Sequence, residues 1–104
     1  MTKQDMDEFA RRVKQDIDIA AEYVEGPSTY HRYGGALDEA VSMVSWMQII
    51  IPRYSEVETV RKNLLNWLTE EQEILNNWAR GTNYQYTGRS KFKDARKYKR
   101  ENEC

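Results

Sequence analysis

Pro52 divides the most apolar part of this chain, Gly34 to Gly81, into two helix-length halves, and that division constrains the fold more than any other feature. Its ring disfavours an α conformation at Ile51 and it has no N–H to donate, so a helix arriving from Gly34 must finish by Ile51. Upstream, Leu37, Ala40, Val41, Val44, Met47 and Ile51 recur at helical spacing, while Ala36, Met43, Trp46 and Ile50 cover much of the remaining circumference. Only Asp38, Glu39, Ser42, Ser45 and Gln48 interrupt that girth. A helix so apolar is either enclosed by its neighbours or covered in part by another chain, which makes Met43, Trp46, Ile49 and Ile50 the expected partner-binding residues.

Downstream, Ser55 with Glu58 three residues later forms a capping-box pattern, in which each side chain satisfies an orphan backbone donor. Val57, Val60, Leu64, Trp67, Leu68, Ile74, Leu75 and Trp78 then follow a 3-4-3-4 spacing, and Gly81 is placed to end the helix. Thr69 and Gln72 repeat the capping pattern midway, where a bend is the alternative, but the spacing predicts one continuous helix from Glu56 to Arg80. At 1.5 Å per residue it would be about 37 Å long, against a diameter of roughly 33 Å for a compact chain of this size, so an elongated bundle is expected. Glu71 falls on the apolar stripe between Trp67 and Trp78, where a buried pairing with Arg or Tyr is expected rather than a catalytic role.

The N-terminal region reads as an amphipathic helix. Thr2 supplies an N-cap, Asp5, Asp7 and Glu8 sit near the positive end of the dipole, and Met6, Phe9, Ala10, Val13, Ile17, Ala20, Ala21 and Val24 mark one face. Gly26 and Pro27 are expected to stop it. Glu22 and Glu25 form an E-x-x-E pair that resembles the metal-binding helices of all-α nucleotide pyrophosphohydrolases. The companion E-x-x-D on a later helix is missing, so the pair reads as surface charge and no metal site is expected.

Residues 28–35, Ser-Thr-Tyr-His-Arg-Tyr-Gly-Gly, admit two readings. As a loop, they would lead through Gly34 and Gly35 into a helix N-terminus whose free N–H groups receive an anion, assisted by Tyr30, His31 and Arg32. As helix, they would begin at Ser28, since Tyr30, Tyr33 and Leu37 continue the apolar spacing.

After Gly81 the composition changes. Residues 82–88 are uncharged and turn-prone, and from Arg89 seven Lys/Arg face three Asp/Glu, a charge of +4. The preceding 88 residues hold nine Lys/Arg and fourteen Asp/Glu, a charge of −5, so the overall −1 conceals opposite regions. Tyr84, Tyr86, Arg89, Lys91, Phe92, Lys93, Arg96, Lys97 and Tyr98 interleave aromatic and basic groups as a phosphate-tracking, base-stacking segment would. The competing expectation is a solvated tail that folds back on the acidic bundle. A short helix from about Ser90 would place Phe92, Ala95 and Tyr98 on one side, although so brief a helix is marginal without a surface to lie on.

The expected fold is therefore all-α. It comprises a small three-helix bundle over residues 1–81, built from a central antiparallel hairpin and an N-terminal helix, and a basic, aromatic tail over 82–104 that can form a short fourth helix. The only cysteine, Cys104, permits no internal disulfide; the amino-terminal residues are charged where a leader would be apolar, and no run approaches a membrane span, so a cytoplasmic location is expected. With one His, no phosphate-binding glycine loop and no nucleophile signature, neither catalysis nor a cofactor is expected. The expected function is a non-catalytic protein-interaction module, homo-oligomeric through the wide apolar face, that binds or blocks a larger protein. Small chains of this kind are frequent among accessory proteins of phages and other mobile elements. The alternatives are nucleic-acid binding by residues 84–100 and a small anionic ligand near Tyr30 to Arg32.

Overall fold

The computed structural model describes residues 1–82 and 91–102. It contains α1 (Lys3–Ala21), α2 (Pro27–Trp46), α3 (Glu56–Thr82) and α4 (Phe92–Asn102), with one 3-10 turn (Met47–Ile49) after α2 and no strand among the described residues. The helices form an elongated bundle of 46 × 27 × 19 Å in which α3 packs against each of the other three. Among the described residues, no helix is long and apolar enough to cross a membrane.

Local sequence explains most boundaries. Thr2 and Asp5 form a reciprocal capping box: the Thr2 hydroxyl accepts from the Asp5 N–H at 3.1 Å and the Asp5 carboxylate accepts from the Thr2 N–H at 3.1 Å. At α3, the Ser55 hydroxyl accepts from the Glu58 N–H at 3.1 Å, but the Glu58 side chain turns away to Arg61, so only half of the expected box exists. The helix runs unbroken past Thr69, whose hydroxyl donates to the Asn66 carbonyl, and Gln72, which donates to Asp38 at 2.7 Å.

Two expected helix ends are corrected, those of α1 and α3. α1 ends at Ala21, well before Gly26, and Pro27 opens α2 instead of closing α1, because proline at the first helical position loses an N–H that would be unpaired anyway. The Thr29 hydroxyl accepts from the Glu25 and Gly26 N–H groups at 2.8 and 3.0 Å, fixing that entry. Residues 28–35 are thus helical and the loop alternative falls. As Pro52 requires, α2 finishes before Ile51, closing at Trp46 and tightening into the 3-10 turn, whereas α3 runs past Arg80 to include Gly81 and Thr82.

The core is one cluster. Met6, Ala10, Ile17 and Ala21 from α1 meet Tyr33, Leu37, Ala40 and Val44 from α2 and Leu64, Leu68, Leu75 and Trp78 from α3. Phe92, the first residue of α4, joins this core and is fully buried, its ring 5.3 Å from Tyr33 and 5.5 Å from Trp78. Burial of Phe92 gives the marginal fourth helix the surface it needs.

Candidate functional site

Two places depart from an ordinary amphipathic bundle. One is a buried polar seam where α4 lies on α3. The other is an exposed apolar end where α2 turns into α3.

At the seam, Glu71 is fully buried. Its carboxylate accepts from the Tyr33 hydroxyl at 3.4 Å, from Arg96 Nε at 2.7 Å, and from Arg100 Nε and Nη2 at 3.2 and 2.8 Å. The outer edges of both guanidinium groups are also held, Arg96 by Asp18 on α1 and Arg100 by Glu70 at 2.6 Å. Trp67 lies beneath them, with the Arg100 and Arg96 guanidinium carbons 5.0 and 5.8 Å from its ring centroid. Burial, reinforced by the Glu71 charge, pushes the Tyr33 hydroxyl well above its ordinary range. Burial pulls the Arg96 guanidinium down, but hydrogen bonds to Glu71 and Asp18 outweigh it and leave the group raised. With its oxygens occupied on all sides, Glu71 has no lone pair aimed at open space. The seam is a structural lock, as the apolar position of Glu71 led one to expect.

A second buried pair was not legible. Glu58 and Arg61 are both buried, joined at 2.5–3.1 Å, and Arg61 Nη1 donates to the Val44 carbonyl at 3.1 Å. Arg61 thereby closes the C-terminal end of α2 from a neighbouring helix. Glu58, expected only as the capping-box partner of Ser55, is buried instead. Its only sequence signal was the i,i+3 charge pairing with Arg61. The hydrogen bond from Arg61 holds the Glu58 carboxyl below the usual range against the opposing effect of burial.

The anion site expected at the start of α2 does not assemble. Gly34 and Gly35 lie inside the helix, where backbone N–H groups are already paired, and the three side chains diverge. Tyr30 and His31 border a cleft of about 390 Å³ between α2 and α3, together with Gln72 and Asn76. Arg32 borders a different one of about 270 Å³, beside Tyr23 and Ala36. Tyr30 packs edge-on against His31 at 5.1 Å, and its hydroxyl reaches Asn76 at 3.5 Å. The E-x-x-E pair is split as well, since Glu22 caps α1 and Glu25 lies beyond it; among the described residues no cluster of three or more His, Cys, Asp or Glu could hold a metal.

The basic segment is likewise divided. Tyr84, Tyr86 and Arg89 lie outside the described residues. Phe92 is withdrawn into the core, where its ring offers no face to a base, and Arg96 is engaged by Glu71 and Asp18. Lys93, Lys97 and Tyr98 are exposed and Lys91 half-buried, but Lys93 and Lys97 share a surface cleft with Asp18, Glu22, Asp94 and Glu101. Acids so close weaken the attraction of phosphate to these lysines.

The apolar end remains uncovered. Met43, Trp46, Ile49 and Ile50 are 48, 70, 67 and 73% exposed, and Tyr54, two residues beyond Pro52, is 96% exposed. All four expected partner-binding residues are therefore exposed, in the last turn of α2, in its 3-10 extension and at Ile50 just beyond. Tyr54 adds what the sequence did not signal: its φ of 65° places it in the left-handed region, which disfavours a β-carbon. No protein-family model, curated protein or solved structure matches this chain.

Proposed function

We infer that this protein is a non-catalytic interaction module whose contact surface is the exposed end of the α2–α3 hairpin. The observation that carries the reading is Trp46, a large aromatic standing 70% exposed among Met43, Ile49 and Ile50. Contiguous apolar surface of this kind mostly marks contacts, and Trp is enriched among residues that dominate binding energy. The same chain buries a carboxylate beneath two arginines elsewhere, so it has the means to cover awkward surface and leaves this one bare. Tyr54 supports the reading, because it holds a strained conformation with almost no packing to offset it, and such strain concentrates at ligand clamps and switch regions. The buried seam favours a scaffold role over catalysis, since its ionisable groups are fully engaged. A photo-reactive amino acid at position 50, activated in the native host, tests the reading. An adduct whose second component is identified by mass spectrometry, and which Trp46→Asp suppresses, is expected; absence of any adduct would remove it.

A further inference from the structure

Resting on that reading, we propose that the hairpin end takes an acidic, apolar segment of another protein, with a carboxylate side chain of that segment seated between Arg53 and Lys62. Three observations carry this.

The first is a cleft beside the apolar residues. It encloses about 380 Å³ and is lined by Gln48, Ile51, Arg53 and Tyr54 from the turn and by Glu58, Arg61 and Lys62 from α3. Gln48 is flanked in the chain by Met47 and Ile49, and Ile51 follows Ile50, so the cleft adjoins the exposed apolar end. A segment resting on Ile49 and Ile50 reaches it within a few residues.

The second is charge balance. Three cations and one acid line the cleft, a charge of +2, whereas the first 88 residues as a whole carry −5. The acid is already occupied, since Glu58 accepts from Arg61 Nε at 2.9 and 3.1 Å. Arg53 and Lys62 remain, both exposed and neither joined to a carboxylate among the described residues. Lys62 acts on Glu58 only from a distance, without a hydrogen bond. Exposed cations elsewhere on the bundle are taken, Lys3 by Asp7 and Arg11 and Arg12 by Glu8. A carboxylate entering this cleft would meet the planar fork of Arg53 and the ammonium of Lys62.

The third is the company the cations keep. Nucleic acid also brings anions, but Met43, Ile49 and Ile50 offer no ring for a base to stack on, and a phosphate chain leaving the cleft would run along an acidic bundle. A protein segment satisfies both parts at once: its apolar side chains cover Trp46 and the isoleucines, and its carboxylate pairs at the rim. Such a rim charge fixes register and rejects basic segments.

Selection of random peptides displayed on phage against the immobilised full chain tests the proposal. Enriched peptides are expected to carry Asp or Glu within a few positions of large apolar residues, and Trp46→Asp should abolish the enrichment. A synthetic peptide of the enriched sequence should bind the doubly reversed chain, Arg53→Glu with Lys62→Glu, roughly tenfold more weakly than wild type, and its Lys-for-acid analogue should bind that chain better than it binds wild type. Both positions are exposed, and unchanged helical circular dichroism would show that the variant folds. Enrichment without acidic preference, or affinity indifferent to the double reversal, overturns the carboxylate yet keeps the contact surface. Acidic peptides that bind Trp46→Asp as well as wild type overturn the combined site, and single-stranded DNA that displaces the peptides at equal concentration overturns the choice of protein. No enrichment at all overturns the proposal, and if the position-50 adduct is also absent the contact surface falls with it.

Discussion

The α3–α4 seam and the α2–α3 turn handle difficult side chains in opposite ways. At the seam a buried carboxylate, inherently unfavourable, is matched by two guanidinium groups, a phenol and an indole face, and an 11-residue helix is laid over them. At the turn, Trp46, Ile49 and Ile50 need only an apolar neighbour, and among the described residues they stay largely exposed. The comparison shows that the uncovered end does not follow from a shortage of chain: helix is available as cover and is placed elsewhere. Charge accounts for that placement, because the basic segment meets Glu71, Glu70 and Asp18 at the seam.

The comparison breaks most decisively at Phe92. If α4 is integral to the core, Phe92→Ala removes a fully buried ring and should cost about 3–5 kcal/mol, measured by urea denaturation. Glu71→Ala should follow at about 3 kcal/mol, since it strands two buried or half-buried guanidinium groups that keep their outer partners Asp18 and Glu70. A loss under 0.5 kcal/mol in either variant would mean that α4 merely rests on the bundle.

Two pH limbs probe the same two regions, because Glu58 is buried beside the turn and Tyr33 at the seam. The Glu58 carboxyl is held below its ordinary value of 4.5 by Arg61, so its contribution is fully present above that pH and is lost as pH falls further. The Tyr33 hydroxyl is raised above its ordinary value of 10.0 by burial and by Glu71, so its contribution is present below pH 10 and is lost as pH rises beyond it. Thermal midpoints should therefore fall at both extremes, and Glu58→Gln and Tyr33→Phe should flatten the acid and alkaline limbs respectively. An acid limb unchanged in Glu58→Gln would show that Arg61 holds α2 without its carboxylate.

Much of the bundle was legible because its signals are local. Pro52 placed the turn, the 3-4-3-4 spacing made α3 continuous through Thr69 to Arg80, and the girth of α2 singled out Met43, Trp46, Ile49 and Ile50, which are exposed. Glu71 could be read too, since a lone carboxylate on an apolar stripe demands a partner. What escaped depended on contacts distant in sequence. Nothing local to Phe92 or Arg96 says that Tyr33 and Trp78 receive the ring and Asp18 and Glu71 the guanidinium, so residues 91–100 read as readily as a free basic segment. Gly26-Pro27 reads as a stop or a start until the Thr29 hydroxyl is seen to hold the preceding N–H groups. Glu58 matched a capping box so well that its turn toward Arg61 was hidden.

A smaller effect is expected at Tyr54. Replacing a non-glycine residue in the left-handed region by glycine relieves roughly 1–2 kcal/mol of backbone strain, partly offset by the added freedom of the unfolded chain. Tyr54→Gly should therefore raise the stability of the isolated chain by up to about 1 kcal/mol while weakening association. A variant that loses stability would show that the phenol ring packs locally and would remove strain as a mark of this surface.

The smallest effect is expected at Trp46 itself, and it separates the two regions most cleanly. An exposed side chain contributes little to a monomer, so Trp46→Asp should shift the unfolding free energy by no more than about 0.5 kcal/mol when both proteins are dilute. A partner bound at the turn stabilises only the folded state, so the wild-type midpoint should climb with partner concentration whereas that of Trp46→Asp stays level. The gap between them should therefore be near zero at low concentration and widen steadily, while the deficit of Phe92→Ala is the same at every concentration. A gap already present in dilute solution would mean that Trp46 supports the fold of its own chain, and the turn would then differ from the seam only in degree.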